Sequence, residues 1–297
     1  MKYVIIGSLG NTSKPISIKL ISTGNEVTIV TSRKENIKTI EALGAAAAVG
    51  SVEDADFLTD TFMGAGAVFT LVPPTLSATD WKSWIEGIGK NYAKAIEASG
   101  VKFVVNLSSI GADLPGGVGP VTGLHRVEET LNKLTGVNIK HLRPAYFYFN
   151  LFSNIPLIKN AGIMGSNFAI KEKKFPIVHP DDVAIAAAEE LMRLDFSGHS
   201  ARYIVGDEVS TDEIAAEIGG AIDKPGLPWV YFTNEQAFDG MKGAGLQDEI
   251  AKNYVEMGDA INSGKMSEDY WKHHPDTLGK IKLVDFAKEF AQIYKES

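Results

Sequence analysis

The feature that most constrains this chain is the regular alternation of short apolar runs with helix-period segments through its first half. Residues 2–6 form a continuous apolar run, rich in β-branched residues and closed by Gly7. That is the pattern of a strand buried on both faces, as in a parallel sheet, and not the in-out alternation of a half-exposed one. Over residues 14–22, Ile16, Leu20 and Ile21 recur at helical spacing, Pro15 fits the first turn, and Gly24 is placed to stop the helix. The alternation then predicts strands at 26–31, 46–49, 67–72, 102–107 and 139–143, with helices at 36–43, 55–63 and 81–99 between them. Six such strands joined by right-handed helical crossovers make an α/β fold, a doubly wound parallel sheet with its ligand crevice at the strand carboxyl ends. The informative residues are therefore those that follow each strand: 7–13, 31–34, 70–74, 107–110 and 144–150.

Beyond Asn150 the pattern is less regular, with Gly162, Gly165, Pro176 and Pro180 interrupting it before a helix at 181–194. A strand at 202–205, a helix at 211–221 capped by Thr211 or Asp212, a Pro/Gly-rich link at 224–228 and two terminal helices follow. The expectation is a main domain at 1–150 and a smaller C-terminal α/β lobe at 151–297. Elements at about 181–206 are expected to pack back on the main domain.

The rest of the composition narrows the function classes. The absence of cysteine removes disulfides, thiolate metal sites and cysteine nucleophiles together. A net charge of −8 opposes a nucleic-acid or anionic-membrane partner, and the basic run at 171–174 reads as solvated loop charge. No apolar run approaches the roughly 20 residues of a membrane span, and the apolar stretch before Gly7 is too short for a signal peptide, so the expected location is cytoplasmic. The small-residue face of the helix near 91–98 could pair subunits into a homo-oligomer or pack on the sheet.

Gly7, Ser8, Leu9, Gly10, Asn11, Thr12 and Ser13 follow the first strand and open a helix, the position of a dinucleotide-binding turn. Glycines there permit a tight turn and close backbone approach to a pyrophosphate, whose charge meets N–H groups at the helix start. Ser13 replaces the usual third glycine, with a side chain small enough for close helix-to-strand packing. A Rossmann domain that prefers NAD carries an acidic residue at the end of the second strand, but here the stretch reads TIVTSRKEN. Ser32, Arg33 and Lys34 offer a hydroxyl and two cations, suited to a ribose phosphate, with Arg33 able to bind it bidentately. The expected cofactor is NADP(H) in preference to NAD(H).

With the glycine turn, the basic second-strand end and the segments VNLSSIGAD (105–113) and LRPAYFYFN (142–150), the chain resembles the NmrA-like group of atypical short-chain dehydrogenases. FPIVHPDDVAIAAAEEL and RYIVGDEVSTDEIAAEIGGAI extend the resemblance over almost the whole length. The resemblance implies that Gly7, Gly10, Ser13 and Arg33 carry the phosphates, and that Leu107, Ser108, Tyr146 and Phe147 flank the nicotinamide. Leu71 and Val72, at the end of the fourth strand, complete the candidate cofactor set. The group includes NADPH-dependent quinone and dye reductases, and also cofactor-binding redox sensors without known catalysis.

Typical short-chain dehydrogenases use a tyrosine with a lysine four residues on, and no tyrosine here has one. Where that group belongs the chain reads GPVTGLHRVEETL, leaving His125 and Thr122 as the residues with suitable proton chemistry. Quinone reduction needs less help, because solvent can protonate the reduced oxygen; it needs an apolar slot that holds the acceptor flat. Tyr146, Phe147, Tyr148 and Phe149 could line it, one alternate pair facing the crevice and the other the core, and Asn150 could orient the acceptor or cap a turn. Phosphate-loop, HExxH and GxSxG motifs are absent. The expectation is an NADPH-dependent oxidoreductase acting on a small electron-poor acceptor, with a non-catalytic NADP(H) sensor as the alternative.

Overall fold

The structure, a computed structural model, describes residues 1–297. The first six strands are β1 (Lys2–Ile6), β2 (Glu26–Thr31), β3 (Ala46–Val49), β4 (Ala67–Thr70), β5 (Phe103–Leu107) and β6 (Asn138–Pro144). Their crossovers are α1 (Ser13–Ser22), α2 (Ile37–Ala42), α3 (Ala55–Phe62), α4 (Trp81–Ser99) and α5 (Val121–Leu131). There follow β7 (Tyr146–Phe147), α6 (Ile155–Ala161), β8 (Met164–Ser166), β9 (Phe175–Val178), α7 (Pro180–Arg193) and β10 (His199–Ile204). The chain closes with β11 (Asp207–Val209), α8 (Thr211–Ala221), β12 (Trp229–Tyr231), α9 (Asn234–Gly243), α10 (Asp248–Asn262), α11 (Glu268–Lys272) and α12 (Leu283–Glu296).

The central sheet has seven parallel strands in the order β10-β6-β5-β4-β1-β2-β3. Connections run outward from β1 in one direction and from β4 in the other, so the switch point of a doubly wound sheet lies between these two strands. Period-two geometry splits β1 between two cores: Tyr3 and Ile5 join the layer containing α1 and α7, Val4 and Ile6 the layer containing α3, α4 and α5. In the second layer, glycines let helices close in. A Cβ on Gly89 would stand 2.8 Å from Val127, and one on Gly123 2.7 Å from Ile85, so α4 and α5 meet where side chains are missing. Tyr92, Ala95 and Ile96 of α4 are buried in this layer.

The second half contributes in two places. α7 covers one face of the sheet and β10 extends it beside β6. The remaining segments form two small sheets, β11-β9-β7 and β12-β8, with α8 to α12 around them. Three local expectations are corrected. The fourth strand ends at Thr70, because Pro73 and Pro74 follow and cannot donate to a ladder. Helix α8 is capped by neither Thr211 nor Asp212: Ser210 Oγ accepts from Glu213 N, Glu213 Oε2 accepts from Ser210 N, and the Thr211 hydroxyl donates instead to the Ile170 carbonyl. Residues Tyr148–Asn154 wind into a 3₁₀ turn, which ends the strand alternation assumed for the aromatic quartet. No helix is long and apolar enough to cross a membrane.

Candidate cofactor crevice and acceptor cavity

The glycine turn sits at the switch point. Gly7 has φ of +111° and Ser8 of +56°, so the chain leaves β1 through left-handed backbone that a side chain at residue 7 would strain. Ser8 N donates to the Val30 carbonyl at 3.0 Å and Gly10 N to the Gly7 carbonyl at 3.1 Å, which ties the loop to β2 and folds it under α1. Leu9 is half-buried, Gly10 and Asn11 are exposed at the loop tip, and Thr12 and Ser13 are buried at the helix start. Ser13 Oγ donates to the Ile6 carbonyl at 2.7 Å.

The end of β2 joins this loop through a network not anticipated from the sequence. Ser8 Oγ donates to Thr31 Oγ1 at 2.9 Å, and Asn36 Nδ2 donates to Ser8 Oγ at 2.9 Å and to Thr31 Oγ1 at 3.3 Å. Arg33 N donates to the same Thr31 hydroxyl at 3.2 Å, so one buried threonine fixes the backbone from which Arg33 projects. Ser32, Arg33 and Lys34 are exposed, and neither cation forms an ion pair. A tripeptide offering two uncommitted cations beside the loop is suited to a phosphate on the adenosine ribose.

Further along the sheet edge, a cavity of about 230 Å³ opens at the carboxyl ends of β4, β5 and β6. Val72, Pro73 and Pro74 enter from β4, Ser109 and Ile110 from β5, and Ala145, Tyr146, Phe147 and Asn150 follow β6. Trp81 and Ile85 of α4 and Val121 and Leu124 of α5 close one side, while Tyr254 and Met257 of α10, with Met266, cover it from the C-terminal half. Gly119 makes that cover possible: with φ of +60°, it leaves room for the Asn253 carbonyl and brings Met257 Cβ to 3.0 Å from where its own Cβ would be. Burial pushes the Tyr146 phenol above its ordinary pKa, so it stands in the wall as a neutral hydroxyl.

The structure brings together most of the residues selected from sequence, and separates others. Leu71 packs at the turn, 2.7 Å from where a Gly7 Cβ would lie, and Val72 lines the cavity. Leu107 ends β5 half-buried, and Ser108 is buried with no hydrogen-bond partner for its Oγ. Tyr148 does not line the acceptor cavity. It is fully buried and stacks on Phe286 with centroids 5.0 Å apart, because the 3₁₀ turn swings it inward. Phe149 stacks on Phe147 at 4.8 Å but faces the groove beside Leu9, Gly10 and Asn11, nearer the turn than the acceptor cavity. His125 is likewise outside the lining. Its Nδ1–H donates to the Ala112 carbonyl at 2.8 Å, which positions the loop after β5 and leaves it without contact to the cavity.

A dinucleotide fits this arrangement on two observations: the left-handed backbone at Gly7 and Ser8 carries the chain into an exposed tip at Gly10 and Asn11 just ahead of α1, and the buried Ser108 hydroxyl, one residue past β5, has an unused hydrogen bond. Comparison with known proteins agrees. Residues 7–145 match a family model described as NAD(P)H-binding. This segment is similar to NAD(P)H-binding domains. Over nearly its whole length the chain also has the fold of an NADPH-dependent quinone oxidoreductase of Escherichia coli solved with NADPH, with a TM-score of 0.82, 18% identity and coverage of 97% of this chain and 99% of that one. A triphenylmethane reductase of Citrobacter sp. solved with NADP(H) superposes with a TM-score of 0.80 at 17% identity, over 97% of this chain and 99% of the other. In sequence, a (4-alkanoyl-5-oxo-2,5-dihydrofuran-3-yl)methyl phosphate reductase of Streptomyces griseus is 23% identical over 222 residues, 75% of this chain and 74% of that protein. The doubly wound fold expected from the sequence is thus shared with these reductases.

Asn36, Trp81, Tyr254, Met257 and Met266 were missed from sequence. Tyr254 and Met257 share a face of α10 by their spacing of three, a signal for burial but not for what they would bury against. Asn36 carried no signal at all, since its partners lie on separate strands and loops.

Proposed function

We propose that the chain is an NADPH-dependent oxidoreductase that delivers a hydride to a quinone or similar electron-poor conjugated acceptor. The observation that carries this reading is the apolar cavity at the carboxyl ends of β4, β5 and β6, walled by Val72, Ile110, Val121, Leu124, Phe147 and Tyr254, on the same sheet edge as the glycine turn. A bound nicotinamide would supply the hydride. The chain would hold the phosphates on the Gly7–Ser13 turn, with Arg33 and Lys34 meeting a ribose phosphate, and Ser108 would offer its free hydroxyl to the cofactor's nicotinamide half. The flat apolar walls would fix the acceptor near attack distance, while Asn150 presents its amide to the acceptor's oxygens. None of the lining residues is a carboxylate, histidine or lysine, which suits an acceptor whose reduced oxygen is protonated by solvent. The relatives named above reduce quinones, triphenylmethane dyes and an unsaturated lactone, all conjugated acceptors, which favours the same class here.

The test is NADPH oxidation by the purified chain against a panel of quinones and conjugated dyes, with NADH in parallel. Acceptor-dependent turnover, faster with NADPH, is the expected result. Tight NADPH binding with no turnover on any acceptor would overturn the enzyme and leave a cofactor-responsive sensor.

A further inference from the structure

Ile110, Tyr146 and Met266 are walls shared by two hollows. On one side is the acceptor cavity; on the other is a hollow of about 180 Å³ floored by Ile170, Phe175, Ile261 and Trp271. The Tyr146 ring is held in this partition by Phe175 at 5.2 Å and Phe168 at 5.9 Å, while Met266 is unbranched and can turn aside at little cost. A ligand extending from the acceptor cavity past Met266 would enter the second hollow.

The rim of that hollow differs from the acceptor cavity in being charged. Lys173 and Lys174, from the basic run that reads in sequence as solvated loop charge, both line it. Lys174 is committed, with Nζ 2.6 Å from both carboxylate oxygens of Glu213. Lys173 has no ion pair or hydrogen bond, although Glu268 stands on the same rim. Asn262 Oδ1 accepts from Ala169 N at 3.0 Å, which leaves its Nδ2–H₂ group free to donate. An uncommitted ammonium and an uncommitted amide donor above an apolar floor are the elements of a site for an oxyanion on a hydrophobic stem.

We infer that this hollow is a second subsite for the acceptor, taking an anionic arm, a phosphate monoester or a carboxylate, that Lys173 and Asn262 bind while Trp271 and Phe175 cover its stem. The inference rests on the acceptor reading of the neighbouring cavity. Lys174 would stay with Glu213, so Lys173 draws the anionic arm against the repulsion of Glu268 and sets the charge preference.

Binding is tested apart from turnover. Phenyl phosphate, 3-phenylpropionate and phenol are titrated calorimetrically into the NADPH-loaded protein, its Lys173→Gln variant and its Trp271→Phe variant. One or both anions should bind at least tenfold more tightly than phenol, the tighter one naming the arm. Lys173→Gln should erase that preference. Ligand-dependent fluorescence quenching should fall in Trp271→Phe, which separates this hollow from the cavity at Trp81. Equal binding of the three probes, or a preference unchanged in Lys173→Gln, would overturn the subsite. In turnover, the ratio of kcat/KM for a naphthoquinone bearing a propionate arm to that for the unsubstituted quinone should fall about tenfold in Lys173→Gln. Anion binding that depends on Lys173 with no quinone turnover would sink the reductase reading while the subsite stands.

Discussion

Ser13 fills the space that a side chain on Gly7 would need. An ideal Cβ on Gly7 would overlap Ser13 Oγ and come within 2.7 Å of Leu71 Cδ2, while Ser13 Oγ is held by its 2.7 Å bond to the Ile6 carbonyl. The serine at the third glycine position is therefore part of the turn, closing over the bare residue before it. Gly7→Ala should combine backbone strain of about 1–3 kcal/mol with this overlap, lowering the melting temperature and abolishing NADPH binding. Ser13→Gly should keep NADPH affinity within a few-fold, losing one hydrogen bond worth about 1 kcal/mol of stability. Thermal melts and NADPH fluorescence titrations check both; a Gly7→Ala protein with native affinity would refute the assignment of the turn.

The cofactor preference is argued at Arg33. Its backbone is anchored by Thr31, and its side chain forms no ion pair, so a phosphate would not have to displace an existing partner. A charge-assisted contact of about 1.5–3 kcal/mol makes Arg33→Ala raise the dissociation constant of NADPH by about tenfold to a hundredfold. NADH affinity should change by less than about twofold, since NADH lacks the phosphate that this charge-assisted bond would meet. Titrations of both nucleotides at one fixed ionic strength decide it, and an unchanged ratio of the two constants would remove the NADP(H) preference.

What could be read from the chain follows from how local each signal is. β1 and β5 are buried on both faces, so they announce themselves as largely apolar runs, β5 interrupted only by Asn106, and Gly7 marks the turn within six residues of the start. β3 was legible too, although its alanines are only partly buried, because it lies between two helical segments. The acceptor cavity was only half legible. Phe147 and Asn150 were placed there, but strand alternation could not foresee that residues Tyr148–Asn154 wind into a 3₁₀ turn, which sends Tyr148 to Phe286 across 138 residues of sequence. Tyr254 and Met257 reach the cavity only through the tertiary packing of α10 against the Gly119 loop, and no local pattern encodes that meeting.

A buried ion pair fastens the strand that ends in the acceptor cavity. Arg143 of β6 donates from Nε to Glu128 Oε1 at 3.1 Å and from Nη2 to Oε2 at 2.7 Å. Both side chains are nearly enclosed, 12% and 6% exposed. Arg143 Nη1 also donates to the Tyr203 hydroxyl at 3.2 Å, which donates in turn to Asp269 at 2.6 Å. Arg143→Met should strand Glu128 without its partner and cost about 3–5 kcal/mol, whereas the double variant with Glu128→Leu should recover much of the loss. Denaturant melts of the single and double variants read the difference. Additive losses would mean that the pair is not coupled as its geometry indicates.

A second buried line predicts how stability responds to acid. The Thr70 hydroxyl donates to Asn106 Oδ1 at 2.9 Å, which turns the Asn106 amide N–H₂ toward His141 Nδ1 at 3.1 Å; the opposite ring nitrogen then donates to Asn132 Oδ1 at 3.0 Å. This tautomer is the neutral imidazole, and burial pushes His141 from 6.5 down to about 4. Between those values the unfolded chain takes up a proton that the folded chain refuses, so stability rises with pH through the window and is lost as pH falls toward 4. The shift corresponds to about 3 kcal/mol, present in full above pH 6.5. Because Asn106 lies one residue before Leu107 and two before Ser108, protonation would loosen β5 where it meets the crevice, and NADPH affinity should weaken only as pH approaches 4, where the folded chain takes up the proton. His141→Gln cannot titrate: it should be less stable than the native chain at pH 7 and show a flatter dependence between pH 6.5 and 4, other carboxylates contributing equally to both proteins. Melts of the two proteins across that range check it, and parallel curves would mean that His141 gains its proton without cost.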